Sequence, residues 1–150
     1  MSLHEKNAWW GLVSGVLIWL WLAMRFTDGG HIVEVSPGHA VETYVGMIVL
    51  WIIAAVIPSV LAARDPPAQA KDERDRAIDA LGDRWEGVIV VIAVNVLVVH
   101  ALAHDYYVDR VPSVPRLDLG STSTLVFVLL TVLFLADAVK QSLVVWQYRR

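Results

Sequence analysis

Val41–Ala63, VETYVGMIVLWIIAAVIPSVLAA, carries one charged side chain, Glu42, and is apolar at almost every other position. A helix rises about 1.5 Å per residue and a bilayer's hydrocarbon core is about 30 Å thick, so roughly twenty apolar residues span it. A helix at the surface of a soluble bundle keeps a polar stripe; Val45–Ile57 has none. This stretch therefore predicts a transmembrane helix. Outward from it lie three more: Ala8–Phe26, Trp85–Ala103 and Thr122–Trp146. Val88–Val99 in the third is also apolar all round. The expected class is all-α, a four-helix transmembrane bundle forming one integral membrane domain over residues 1–150. Hydrophobic residues make up 57% of the chain, a share that lipid accommodates better than water.

Several aromatic residues stand near segment ends: Trp9, Trp10, Trp85, Tyr106, Tyr107, Trp146 and Tyr148. Their amphipathic rings suit the headgroup zone. Ala8–Phe26 is longer than a typical signal-peptide core and lacks a small-residue cleavage pattern, so it is expected to remain as the first helix. Lys and Arg resist translocation. Lys6, Arg64, Lys71, Arg74, Arg76, Arg84, Lys140, Arg149 and Arg150 flank one set of segment ends; Arg25, Arg110 and Arg116 flank the other. That asymmetry predicts both termini in the cytoplasm and a location in the bacterial inner membrane.

Local signals refine the segments. Ser36 followed by Pro37 is a helix start at the end of the outer loop Thr27–Ala40. Pro58 is expected to kink the second helix near its inner end. Asp65-Pro66-Pro67 stops that helix. The pairs Lys71/Asp75 and Asp72/Arg76 stand at i,i+4, so a helix is expected from near Ala70, running continuously into the third span. Ser121–Thr124 offers N-caps for the fourth helix. Asn95, the one strongly polar residue near mid-membrane, is expected to bond another helix. Gly11-x-x-x-Gly15 permits close helix approach and offers a homodimer contact.

Three pieces carry a resemblance. They are Glu5-Lys6-Asn7-Ala8-Trp9; Asp72-Glu73-Arg74-Asp75-Arg76-Ala77-Ile78 with Arg84 beyond it; and Leu135-Ala136-Asp137-Ala138-Val139-Lys140 followed by Gln141 and Gln147-Tyr148-Arg149-Arg150. In that order they resemble an uncharacterised family of small bacterial four-helix membrane proteins, patterned E-K-x-x-W, D-E-R-D-x-x-I, A-E-x-x-K and Y-R-R. Asp137 stands where the family has Glu. The resemblance carries over no established biochemical activity. Genes of that family often lie beside helix-turn-helix regulators, which implies a cytoplasmic DNA-binding partner.

Three constellations are candidates for function. Asp72, Glu73, Arg74, Asp75 and Arg76 form a cytoplasmic docking block. Asp137 lies near the inner edge of the hydrocarbon and is expected to pair with Lys140 or Arg84, because an intramembrane acid is costly without a partner. At the outer face, His39 and Glu42 stand at i,i+3, and His100 and His104 at i,i+4. If the second and third helices are antiparallel neighbours, these groups meet and can share a divalent metal, or His39 and His100 a haem. No resident cofactor is otherwise expected. The absence of Cys removes thiolate chemistry. No nucleophile–base pair, phosphate loop or H-E-x-x-H is present, so no enzyme is predicted. The net charge of −3 argues against direct nucleic-acid binding. The leading reading is a non-enzymatic membrane regulatory or interaction protein; the rival is a small transporter or metal/cofactor-binding bundle using the outer site.

Overall fold

The structure, a computed structural model, describes residues 3–62, 72–107 and 117–150, without the side chains of 3, 4, 59, 61, 62 and 103–107. It contains four long helices: α1 (Leu3–Phe26), α2 (Pro37–Ala62), α3 (Glu73–Tyr107) and α4 (Thr122–Tyr148). Each is long and apolar enough to cross a membrane. Three of the expected spans fall inside these helices, and Val41–Ala63 does so up to Ala62, its last residue lying outside the described residues. α3 has 35 residues and is therefore about 52 Å long. That exceeds the roughly 30 Å of a hydrocarbon layer. The helix begins at Glu73 rather than near Ala70, because Asp72 is non-helical and its side chain caps the first turn.

The helix starts follow from local chemistry. At α2 the Ser36 hydroxyl accepts from His39 N–H at 3.3 Å, while Pro37 takes the first helical position, where no donor is needed. At α4 the Ser121 hydroxyl accepts from Thr124 N–H at 3.4 Å. α2 continues helically through Pro58 to Ala62. The connection from α1 to α2 is more ordered than a plain loop. Thr27–Asp28 (β1) pairs antiparallel with His31–Ile32 (β2) around Gly29 and Gly30. Their φ values of +55° and +85° match a type I′ turn, and glycine adopts both without a Cβ clash.

The packing order is not the chain order. The main seams are α2 with α1, α1 with α4, and α4 with α3. α1 and α4 are thus the two inner helices. The expected antiparallel seam between α2 and α3 is absent from these; both helices instead border one cleft beside α4. Glycines explain how α4 gains this place. A Cβ on Gly11 would sit 3.0 Å from the Gln141 side chain, and one on Gly82 would sit 3.1 Å from Lys140 Cγ. α1 and α3 can therefore approach α4 closely from two sides. The Gly11-x-x-x-Gly15 notch is filled by α4 of the same chain, with Gly15 facing the Asp137 carboxylate.

Two small cores pin the seams. Toward the hairpin end, Leu22, Phe26 and Leu130 are buried among Val35, Met47, Val126 and Phe134. Phe26 stacks on Phe127 with ring centres 6.0 Å apart. Toward the chain termini, Ala8, Ile78, Val144 and Val145 are buried beneath Trp9 and Tyr148. A few hydrogen bonds lock the register. Trp10 Nε1 donates to Ala54 O at 2.8 Å, Trp19 Nε1 to Thr131 Oγ1 at 3.2 Å, and Val35 N to Ser123 Oγ at 2.9 Å. Most other apolar side chains of α2 and α3 point outward, including Val45, Ile52, Ile53, Val91, Ile92 and Val99. In water such surfaces would aggregate; against acyl chains they are matched to their solvent. Asn95 corrects one expectation: its amide bonds Val91 O of its own helix at 2.8 Å. The i−4 carbonyl is always within reach, and the residue itself is exposed.

Candidate functional site

The end of the bundle that holds the chain termini is the polar one. It is built from the first turns of α3, the last turn of α4 and the start of α1. Asp72 and Asp75 open α3 as a reciprocal cap. Asp75 N–H donates to Asp72 Oδ1 at 2.7 Å, and Asp72 N–H donates to Asp75 Oδ2 at 3.3 Å. Each carboxylate thereby satisfies a backbone donor that the helix leaves open, at the end where the dipole favours negative charge. Two residues of the expected docking block thus have a structural duty. Arg74 reaches the Gln147 carbonyl at 3.4 Å. Glu73 and Arg76 are exposed.

The C-terminal turn returns these contacts. Tyr148 donates its phenolic hydrogen to the Asp75 carboxylate. Arg149 stands 3.7 Å from Glu5 and lies over the Trp9 ring at 5.3 Å. Arg150 lies over Trp146 at 3.8 Å. Pieces from both ends of the chain and from its middle therefore share one polar face. Cation–π contacts at exposed sites contribute about 0.5–1 kcal/mol each, enough to orient an arginine on the tail.

One layer deeper, Lys140 is held by two acids of α3. Its Nζ lies 2.7 Å from Asp83 Oδ1 and 2.9 Å from Glu86 Oε2. Asp137 accepts a hydrogen bond from Gln141 Nε2 at 3.1 Å. The expected ion pair of Asp137 with Lys140 or Arg84 is replaced by this arrangement. The reason is angular. Gly15 on α1 lies against Asp137 and Gly82 on α3 lies against Lys140, so the two side chains leave α4 toward different neighbours. A short aspartate cannot bridge that divergence. Arg84 is exposed and makes no ion pair with Asp137 among the described residues.

Asp83, Glu86 and Gln141 are the participants that sequence reasoning missed. A signal existed: Asp72, Asp75, Asp79, Asp83 and Glu86 recur at spacings of three and four, an acidic stripe along one side of α3. Which helix that stripe faces depends on the packing of α3 on α4, so the pairing with Lys140 is not readable from spacing alone.

The remaining candidates lie on α2 and α3, which share none of the main seams. His39 and Glu42 lie in the first turns of α2, which packs on α1. His100 lies on α3 with its Nε2 3.2 Å from Leu117 O in the segment leading to α4. The His104 side chain lies outside the described residues. Among the described residues no group of three or more His, Cys, Asp or Glu converges as a metal site requires.

The fold defines a four-helix protein whose helices are each long and apolar enough to cross a membrane. Comparison with known protein families, with curated proteins and with solved structures finds no match to this chain.

Proposed function

We propose that this chain is a non-enzymatic regulatory or interaction protein of the bacterial inner membrane, with both termini in the cytoplasm. Its polar end would serve as the docking face for a cytoplasmic partner, a DNA-binding regulator being the class that the motif resemblance suggests. One observation carries the reading: Tyr148 bonded to Asp75 joins the α3 block to the C-terminal turn. The two polar pieces therefore form a single preorganised surface rather than two loose tails. Preorganisation lowers the ordering cost of association and so favours a docking role. The exposed Glu73 and Arg76 stand free of the cap and supply charges a partner can read.

The distribution of Lys and Arg supports the orientation. Single cysteines at Glu73 and Glu34, both exposed, should label from opposite sides of sealed inverted vesicles, Glu73→Cys from the cytoplasmic side. The function itself is tested by a photo-crosslinking residue at Arg76 in native membranes. A discrete cytoplasmic protein should be captured, and a Glu73→Lys change should remove it. Capture of lipid alone, or labelling of both cysteines from one side, defeats the proposal.

A further inference from the structure

The span of α3 has an inner and an outer side. Gly82, Glu86, Ile89, Ala93 and Leu97 recur at steps of three and four and are buried or half-buried, and Gly82 and Glu86 among them meet Lys140 of α4. Asn95 stands two residues from Ala93 and two from Leu97, about 200° around the helix from each, and is exposed. Its amide gives one hydrogen to Val91 O at 2.8 Å and makes no other hydrogen bond among the described residues. Acyl chains carry neither donor nor acceptor, so the second amide hydrogen and the carbonyl oxygen are costly to leave in lipid. Around Asn95 the outer side is apolar: Val88, Val91, Val98 and Leu102 are 38%, 61%, 51% and 77% exposed. With Asn95 they fall at alternating steps of three and four, the a and d positions of a heptad, which is the spacing of a seam between two helices. An apolar helix of another protein would cover the valines and leave the amide open. A second copy answers both. An amide is donor and acceptor at once and therefore its own complement. Two copies inserted in one orientation carry Asn95 at the same depth, where a two-fold axis along the membrane normal brings the amides together. A single Asn at an a position is also the residue that fixes register in a parallel helix pair. Arg84, the preceding d position, lies before the apolar run, and its long side chain lets each charge turn to water rather than to its twin.

We propose that α3 pairs in the membrane with α3 of a second copy of this chain, through Val88, Val91, Asn95, Val98 and Leu102, the two Asn95 amides bonding each other. The inference shares the membrane setting with the docking reading and is otherwise independent of it, since no partner protein enters its test. The chain has no cysteine, so each single-cysteine variant carries one reactive thiol. In membranes of the expressing cell, Val91→Cys and Val98→Cys should each give a disulfide-linked dimer on mild oxidation, and Ala93→Cys, on the side of α4, should not. The strength of pairing is read from energy transfer between purified full chains labelled at Glu34→Cys, as they are diluted with lipid in vesicles. Asn95→Val should need about tenfold more protein per lipid to pair, because it removes the amide and keeps the packing. Asn95→Gln, which keeps the amide, should stay within about threefold of the unaltered chain. Asn95 bonds only its own helix, so neither change disturbs the fold within one copy. Energy transfer no greater than random collision at every dilution would overturn the proposal. So would pairing unchanged in Asn95→Val, or cross-linking through Ala93→Cys in place of Val91→Cys and Val98→Cys.

Discussion

Lys140→Met removes the one ammonium that Asp83 and Glu86 share, and the structure sets the size of the loss. The Asp83 side chain is 65% exposed, so its 2.7 Å bond contributes about 0.5 kcal/mol. Glu86 and Lys140 are better shielded, at 36% and 27%. Breaking a fully buried pair by removing one partner costs about 3–5 kcal/mol, and partial solvent access brings this to about 2 kcal/mol here. Nearby Asp137 adds repulsion to the carboxylates left behind. The expected total is about 2.5 kcal/mol, with methionine retaining most of the packing of the lysine stem against Gly82. Glu86→Gln in the same chain should restore about 1 kcal/mol or more, because an amide tolerates the lost cation far better than a carboxylate does. Equilibrium unfolding in mixed micelles, titrated with SDS and followed by tryptophan fluorescence, measures each variant, and the double-mutant cycle isolates the pair. A loss below about 0.5 kcal/mol for Lys140→Met, or additive single and double variants, would refute the reasoning: the layer would then be as wet as a surface ion pair.

Gly11→Ile places a branched side chain where Gln141 already stands at 3.0 Å from a bare Cβ position; overpacking of this kind costs about 1–3 kcal/mol, and an unchanged SDS midpoint would contradict the α1–α4 seam. Tyr148→Phe deletes the bond to the Asp75 carboxylate, so the C-terminal turn should be cleaved several-fold faster in limited proteolysis, with a stability loss of about 1 kcal/mol at this half-exposed position. The docking reading expects added zinc to leave the melting temperature unchanged. A zinc-dependent rise that weakens below about pH 6.5, as imidazoles protonate, and is lost in both His39→Ala and His100→Ala would establish the rival outer site instead.

The four spans were legible in the sequence because partition into lipid is decided segment by segment. Val41–Ala63 is apolar whatever packs beside it, and the nearby Ser36-Pro37 and Ser121 signals cap their own helices. The acidic start of α3 was legible as a helix for the same reason, since its caps lie within four residues. The neighbours of each helix were not legible. Between lipid and a leucine there is little apolar preference, so the choice of partner rests on shape and on a few polar bonds. Gly11 and Gly82 admit α4 between α1 and α3, and that placement draws Lys140 to Asp83 and Glu86 and leaves Asp137 with Gln141. Composition along the chain determined which segments can enter the membrane; the tertiary structure decided which charges meet, because that depends on the direction in which each side chain leaves a helix already packed on its neighbours.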